Sequence, residues 1–320
     1  MTLGVDPQVK AQLDRLADAL GDIADAPVGD VDARRANGHR MFDHIAATTA
    51  PAEGVETERF SVTARDGTAL DAVWYRPSSG ESSGSAVLYL HGGGMIFGFD
   101  HVGSMYDIVV RDYVAASLVP MLMVDYRVAP EHPHPAPVED CYAALEWLAG
   151  QGDELGFDPG RLAVMGDSAG GGLAAATALM ARDRGGPAIA AQVLIYPMLD
   201  DRPSPADPAL LDFLTWNYDD NLTGWGALLG DGAGGGDVSP YAAPARAADL
   251  TGLPEAYIDV GDLDIFRNED ITYARRLADA GVPTELHVHP GCPHGFEAFA
   301  KTADVSKRTI ADRVRRLRAL

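Results

Sequence analysis

The stretch RLAVMGDSAGGGL, residues 161–173, constrains the fold more than any other part of this chain. Its first half is an apolar run without alternation, which is typical of a strand buried on both faces, and its second half is rich in helix-forming residues. Ser168 is therefore expected at a tight strand-to-helix turn, between the glycines of a G-x-S-x-G pattern. Such a turn lifts the serine hydroxyl above the sheet, where the start of the helix directs N–H groups at a developing anion. The stretch predicts a nucleophile for acyl transfer, and a helix start without function is the alternative.

Apolar strands and helices alternate through most of the chain, which predicts an α/β fold with a mostly parallel, twisted sheet and helices on both faces. An alternating pair of strands around the Asp66-Gly67 turn predicts an antiparallel hairpin at the sheet edge. The basic amphipathic segment 305–320 is interpreted as a packed helix. The predicted strands are 55–64, 70–75, 86–90, 120–125, 162–165, 190–196, 256–260 and 285–289, and the predicted internal helices are 102–117, 138–149, 169–182 and 269–280.

Two regions are predicted to form a helical cap. Residues 7–21 and 31–47 have helical spacing and precede the first strand, so residues 1–50 are predicted to be cap helices. The gap between the strands at 190–196 and 256–260 is too long for a bare loop, which predicts a cap insertion near 200–245 within a catalytic domain of residues 51–320. A surface excursion unrelated to substrate is the alternative for the insertion.

The composition disfavours several classes of partner. The formal net charge of -22 disfavours nucleic acid and anionic membranes, and it favours neutral or cationic small molecules. The two cysteines, Cys141 and Cys292, form neither a disulfide framework nor a metal-type pair. Because no apolar run approaches a membrane span and no signal peptide opens the chain, a cytoplasmic location is expected. The acidic, lysine-poor composition fits either salt adaptation or genomic codon bias.

A second glycine-rich segment follows the strand that ends at Leu90. In HGGG, residues 91–94, consecutive glycines allow backbone N–H groups to approach an oxyanion without a Cβ in the way. The N–H of Ala169 would supply the other half of that oxyanion hole. A phosphate-binding loop is the alternative, but no P-loop lysine follows.

Taken together, the motifs resemble one known family. HGGG at 91–94, DYRVAPEHPHPAP at 125–137, GDSAGG at 166–171, GDLDIFRNE at 261–269 and HGF at 294–296 occur in order along nearly the whole chain. In this set the chain resembles the bacterial hormone-sensitive-lipase-like (family IV) esterases of the α/β-hydrolase fold, and within them the heroin-esterase type.

The resemblance implies a complete set of site residues. It implies that Ser168 is the nucleophile, Asp264 the acid and His294 the base. It also implies that the N–H groups of Gly92, Gly93 and Ala169 bind the oxyanion. The order Ser, Asp, His is the one this fold uses, and both Asp264 and His294 follow predicted strands.

Two other aspartates lie close to Asp264. Asp259 is inside the predicted strand, and Asp262 aligns with a family position that is not catalytic, so Asp264 is preferred. Ile265 and Asn268 depart from the family pattern and affect the expected rigidity of this loop.

Three further residues are predicted to bind substrate: Met95, Asp167 and Trp216. Met95 stands where the family often has an aromatic residue, a departure that would reshape the acyl pocket. The histidines allow one more interpretation, since His287, His289, Cys292 and His294 could be read as metal ligands. That set is the less favoured reading, and no metal or organic cofactor is expected.

The predicted activity is hydrolysis of short-chain acyl esters, from acetyl to about hexanoyl, through a covalent acyl-enzyme. The expected partner is a small-molecule ester, and the resemblance adds a homodimer. An amidase or deacetylase with the same triad is one alternative. A ligand-binding protein that does not turn over is another, disfavoured because Ser168, Asp264 and His294 are all present.

Overall fold

A single sheet runs through the centre of the protein. The structure is a computed structural model and describes residues 3–24, 26–81, 83–203 and 205–320. Within those ranges the strands are β1 (Val55–Thr63), β2 (Ala69–Pro77), β3 (Ala86–Leu90), β4 (Met121–Val124), β5 (Leu162–Asp167), β6 (Ala191–Ile195), β7 (Glu255–Gly261) and β8 (Thr284–His289). Their order across the sheet is β1-β2-β4-β3-β5-β6-β7-β8. The β1–β2 hairpin is antiparallel and lies at one edge, and the strands from β4 to β8 run parallel, so the predicted sheet is confirmed.

Helices cover both faces of this sheet. In the same described ranges they are α1 (Pro7–Leu20), α2 (Val31–Thr48), α3 (Phe99–Ser117), α4 (Ala136–Gly150), α5 (Gly152–Leu155), α6 (Ala169–Arg184), α7 (Tyr218–Leu229), α8 (Arg267–Asp279), α9 (Phe296–Phe299) and α10 (Asp304–Arg318). Residues of α4, α6 and α8 form the core on one face, and residues of α2, α3 and α10 form the core on the other.

The unbroken apolar runs of the central strands follow from this two-sided burial. In β3, Leu88 packs into the core with α4 and α6, whereas Tyr89 packs into the core with α3. In β5, Val164 likewise packs into the core with α4 and α6, and Met165 packs into the core with α3. Successive residues of a strand point to opposite faces, so a strand covered on both sides needs apolar residues at every position.

The two predicted cap regions meet above the sheet. Arg34 of α2 pairs with Asp220 of α7 at 2.9 Å, and the N–H of Gly29 donates to the Thr223 hydroxyl at 2.9 Å. A second arginine of α2, Arg35, donates to both carboxylate oxygens of Glu131, each at 2.7 Å. These contacts tie the N-terminal segment to the insertion and to the loop after β4.

The first helix takes a different position from the one expected of a cap helix. In α1, Val9 is fully buried in a cluster with Cys292, Phe296 and Ala300, and the N–H of Asp6 donates to the carbonyl of Gly291 at 2.8 Å. Helix α1 therefore packs against this cluster near the C-terminal end of the chain, which buries the apolar face of the helix. Among the described helices, none is long and apolar enough to cross a membrane.

Candidate active site

The Ser168 turn has the strained backbone that the sequence pattern predicts. Ser168 joins β5 to α6 at φ 55° and ψ -121°, a conformation that costs an ordinary residue free energy. The surrounding structure holds it, because the Ser168 N–H donates to the Ile195 carbonyl at 2.9 Å and its own carbonyl accepts from Gly172 and Met198. A Cβ at Gly170 would overlap the carbonyl oxygen of Leu90, which explains the small residue beside the serine.

Ser168, His294 and Asp264 form a continuous hydrogen-bonded chain. The Ser168 hydroxyl lies 3.0 Å from Nε2 of His294, and Nδ1–H of the same ring donates to Oδ2 of Asp264 at 2.7 Å. The other oxygen of Asp264 accepts from the N–H of Phe266 at 2.9 Å, which fixes the carboxylate. The imidazole is thus in the tautomer that leaves Nε2 free to accept the serine proton.

The surroundings of His294 adjust its basicity. Burial lowers the pKa of the ring, but the negative charge of Asp264 and its hydrogen bond raise it, and the net direction is upward from the ordinary value of 6.5. The rings of Tyr196 and Phe266 meet the imidazole edge-on, with centroids at 4.7 and 5.2 Å. These two contacts hold the plane of the imidazole ring.

The two rival aspartates have other partners. Asp259, within β7, receives two hydrogen bonds of 2.7 Å from the fully buried guanidinium of Arg313. Asp262 accepts from the N–H of Gly291 at 2.6 Å. Asp264 is therefore the one of the three that the structure brings to His294.

The oxyanion loop corrects one predicted residue. The N–H of Gly92 donates to the hydroxyl of Tyr106 at 2.8 Å and is not free to bind an oxyanion. Within the described residues, the N–H groups of Gly93, Gly94 and Ala169 have no hydrogen-bond partner. Gly93 and Gly94 also line the same cavity as Ser168 and His294. The N–H that is free at this end of the cavity beside that of Gly93 is therefore the one of Gly94 and not the one of Gly92, a shift of two residues within a glycine run.

His91, which opens the glycine run, is a buried support for the loop. Its ring stacks on Tyr126 with centroids 4.3 Å apart, and its Nδ1–H donates to the carbonyl of Gly92 at 2.8 Å. Burial lowers the pKa of His91 to about 4, so the ring is neutral at physiological pH. The fully buried ring of His91 is not among the residues that line the cavity with Ser168, so it is a support for the loop and not a second base.

The cavity above the triad has a volume of about 430 Å³ and lies between the glycine loop, α2 and the insertion. Its aromatic walls are Phe42, Phe97, Tyr106, Tyr196, Trp216 and Phe299. The sequence interpretation named only Trp216 among these, since the others come from separate elements and carry no motif. Helix α2 lines the cavity, whereas no residue of α1 is among the lining residues, and the cap formed by residues 1–50 stays a prediction.

The three predicted substrate-binding residues have different positions. Trp216 lines the cavity, and its ring lies against Gly94 so closely that a Cβ there would overlap it. Asp167 borders the cavity, with its carboxylate hydrogen-bonded to two tyrosine hydroxyls. Met95 is 1% exposed, packs in the core under the loop and is not among the residues that line the cavity. Its side chain is therefore not in the position expected for direct contact with substrate.

The histidines of β8 have partners of their own. His287 pairs with Glu285 at 2.7 Å, and the ring of His289 lies within 3.4 Å of the Thr309 hydroxyl. Across the described ranges, no group of histidine, cysteine or acidic side chains is arranged to hold a metal ion. His294 is directed to Ser168 and Asp264.

Comparisons with known proteins agree with this geometry. The profile of the family described as having the alpha/beta hydrolase fold matches residues 87–298. Esterase LipI of Mycobacterium tuberculosis is 39% identical over 71% of this chain and 70% of its own length. Carboxylesterase NlhH of the same species is 38% identical over 73% of this chain and 74% of its own length. The solved structure of a bacterial heroin esterase superimposes with a TM-score of 0.86 at 35% identity, over 98% of this chain and 97% of that one.

The chain belongs to the α/β-hydrolase family, and within it to the hormone-sensitive-lipase-like esterases. It is accordingly a carboxylic ester hydrolase, as the sequence predicted.

Proposed function

We propose that this esterase hydrolyses short-chain acyl esters, from acetyl to about hexanoyl, with Ser168 as nucleophile, His294 as base and Asp264 as acid. The observation that carries the proposal is the hydrogen-bonded chain from the Ser168 hydroxyl through His294 to Asp264, with distances of 3.0 and 2.7 Å. The hydroxyl has its base within reach for proton transfer, and the base has a buried partner for the positive charge it acquires.

The reaction proceeds in two halves. Ser168 Oγ attacks the ester carbonyl while its proton passes to Nε2 of His294, and the resulting oxyanion accepts hydrogen bonds from Gly93, Gly94 and Ala169. The tetrahedral intermediate collapses as His294 returns the proton to the leaving alcohol, which leaves an acyl-enzyme on Ser168. A water molecule then gives its proton to His294 and attacks the acyl carbonyl, and Ser168 leaves with that proton.

The shape of the cavity supports a small, largely apolar substrate. A volume of about 430 Å³ lies at the lower end of ordinary ligand pockets, and both the acyl and alcohol parts must share it. Bulky rings of α2, α3, the glycine loop and the insertion form its walls, which limits the length of acyl chain that the cavity can hold. The relative called ethyl acetate hydrolase in Pseudomonas putida, 34% identical over 74% of this chain, supports a short acyl group. The cytoplasmic location and the homodimer stay predictions.

Turnover of p-nitrophenyl esters is expected to fall with acyl length. Acetate and butyrate should be hydrolysed with a kcat/KM on the order of a hundredfold above laurate, because the last carbons of a twelve-carbon chain would have to remain outside the cavity. The measurement is kcat/KM for acetate, butyrate, octanoate and laurate at pH 8 below the critical micelle concentration of each. A matched anilide of the best acyl group, run in parallel, separates esterase from amidase activity. Equal or faster hydrolysis of laurate would contradict the short-chain assignment.

A further inference from the structure

We propose that Tyr106 is a positioning residue that joins the oxyanion loop to the nucleophile turn through Asp167. The inference rests on the proposed function, since it concerns the same oxyanion hole. Tyr106 lies on α3, outside both HGGG and GDSAGG, and neither motif indicates a role for it.

The hydroxyl of Tyr106 forms a bridge between the two segments. It accepts a hydrogen bond from the N–H of Gly92 at 2.8 Å and donates one to Oδ2 of Asp167 at 2.5 Å. These directions are fixed by chemistry, because a backbone N–H can only donate and a carboxylate can only accept. Gly92 directly precedes the donor Gly93, and Asp167 directly precedes Ser168. One phenol oxygen thereby sets the spacing between the two halves of the oxyanion hole.

The bridge is buried and closely fitted. Tyr106 is 5% exposed and Asp167 is 8% exposed. A Cβ at Gly92 would lie 2.6 Å from both the Tyr106 hydroxyl and Oδ2 of Asp167, so the glycine at this position makes room for the bridge. The N–H groups of Gly93 and Gly94 have no protein partner among the described residues. On their N-terminal side, Gly92 is held at its carbonyl by the His91 ring and at its N–H by the Tyr106 hydroxyl, and of these two only Tyr106 also reaches Asp167.

The ionisation of Asp167 depends on the same hydroxyl groups. Burial raises the pKa of this carboxyl to about 6, and the hydrogen bonds from Tyr106 and Tyr89 oppose the rise. Tyr89 donates to the other oxygen, Oδ1, at 2.9 Å, and among the described residues its hydroxyl has no hydrogen bond to the glycine loop. Tyr89 therefore offers a matched comparison: both tyrosines hold Asp167, and only Tyr106 also holds Gly92.

The bridge is tested by Tyr106→Phe against Tyr89→Phe. We expect Tyr106→Phe to lower kcat for p-nitrophenyl butyrate on the order of tenfold to a hundredfold, because small displacements of oxyanion donors weaken transition-state binding. KM should remain within about twofold, since the walls of the cavity keep their shape. Tyr89→Phe should remain within about threefold of the wild-type kcat, because the Gly92 anchor is intact.

A second readout reports the oxyanion hole directly. A trifluoromethyl ketone with a matching alkyl chain forms a tetrahedral oxyanion on the nucleophile, so its inhibition constant should weaken in Tyr106→Phe by the same factor as kcat/KM. The concentration of active sites in each preparation is measured with an organophosphate that releases p-nitrophenol. The rate is divided by this concentration, so that unfolded protein does not lower the value of kcat.

The outcomes separate the bridge from the underlying activity. The bridge is contradicted if folded Tyr106→Phe keeps the wild-type kcat and the wild-type affinity for the inhibitor. It is also contradicted if Tyr106→Phe and Tyr89→Phe lose kcat equally, because the two hydroxyls would then act only by holding Asp167. A wild-type protein that hydrolyses no ester would instead contradict the proposed function.

Discussion

Ser168→Ala is expected to lower kcat for p-nitrophenyl butyrate by a factor on the order of 10⁵ to 10⁶. The alanine variant has no nucleophile at the turn, and His294 would have only water to activate in a site built around a covalent intermediate. The oxyanion donors and the cavity remain, so the residual rate should still exceed hydrolysis in free solution, and KM should change little.

The assay needs active enzyme counts and a matched control. Ser61→Ala replaces an exposed serine of β1 that does not line the cavity, and it should keep wild-type kcat. A Ser168→Ala variant that keeps a tenth of wild-type turnover, in protein free of wild-type enzyme, would show that another residue is the nucleophile.

Asp264→Asn should give the second largest loss, with kcat reduced on the order of 10³ to 10⁴. The carboxylate accepts the Nδ1–H of His294 at 2.7 Å and stabilises the imidazolium that forms during attack. An amide can present N–H to Nδ1, which favours the tautomer with its proton on Nε2, where it blocks the serine. Asp262→Asn is the control, because that side chain caps Gly291 and does not reach the imidazole.

The same two variants should differ in the pH dependence of kcat/KM. Activity requires neutral His294, so kcat/KM should rise with pH through the pKa of this ring. In the wild type the midpoint should lie above 6.5, because the lowering of the pKa by burial is outweighed by the charge of Asp264, its hydrogen bond and the charges of Asp167 and Glu297 together. In Asp264→Asn the raising charge is removed and burial remains, so the midpoint should move to lower pH, while Asp262→Asn should leave it in place. A midpoint that is identical in all three proteins would contradict the assignment of Asp264.

Sequence reasoning predicted the sheet well because its signals are local. Every central strand needs apolar residues on both faces, so β3 and β5 are visible as unbroken runs, and the Asp66-Gly67 turn marks the edge hairpin. The glycines around Ser168 are equally informative, since a Cβ at Gly166 or Gly170 would overlap neighbouring carbonyl groups.

Contacts between distant segments explain what sequence reasoning missed. Three successive glycines look alike in the sequence, and only the hydroxyl of Tyr106, fourteen positions after Gly92, shows which N–H is already bonded. Helix α1 has the amphipathic pattern of a cap helix, but the buried cluster around Val9 and Phe296 determines where it docks. Met95 follows the glycine run directly, yet the loop turns its side chain into the core.

Covalent trapping of the nucleophile tests the central claim most directly. The protein is incubated with a short p-nitrophenyl alkylphosphonate until activity is lost, and released p-nitrophenol, intact mass and tryptic peptides are measured. We expect one p-nitrophenol and one phosphonyl group per chain, with the phosphonyl group on the peptide of residues 162–182, in which Ser168 is the only serine. Loss of activity with the phosphonyl group on another peptide, or an active enzyme that takes up no label, would contradict the assignment of Ser168 as the nucleophile.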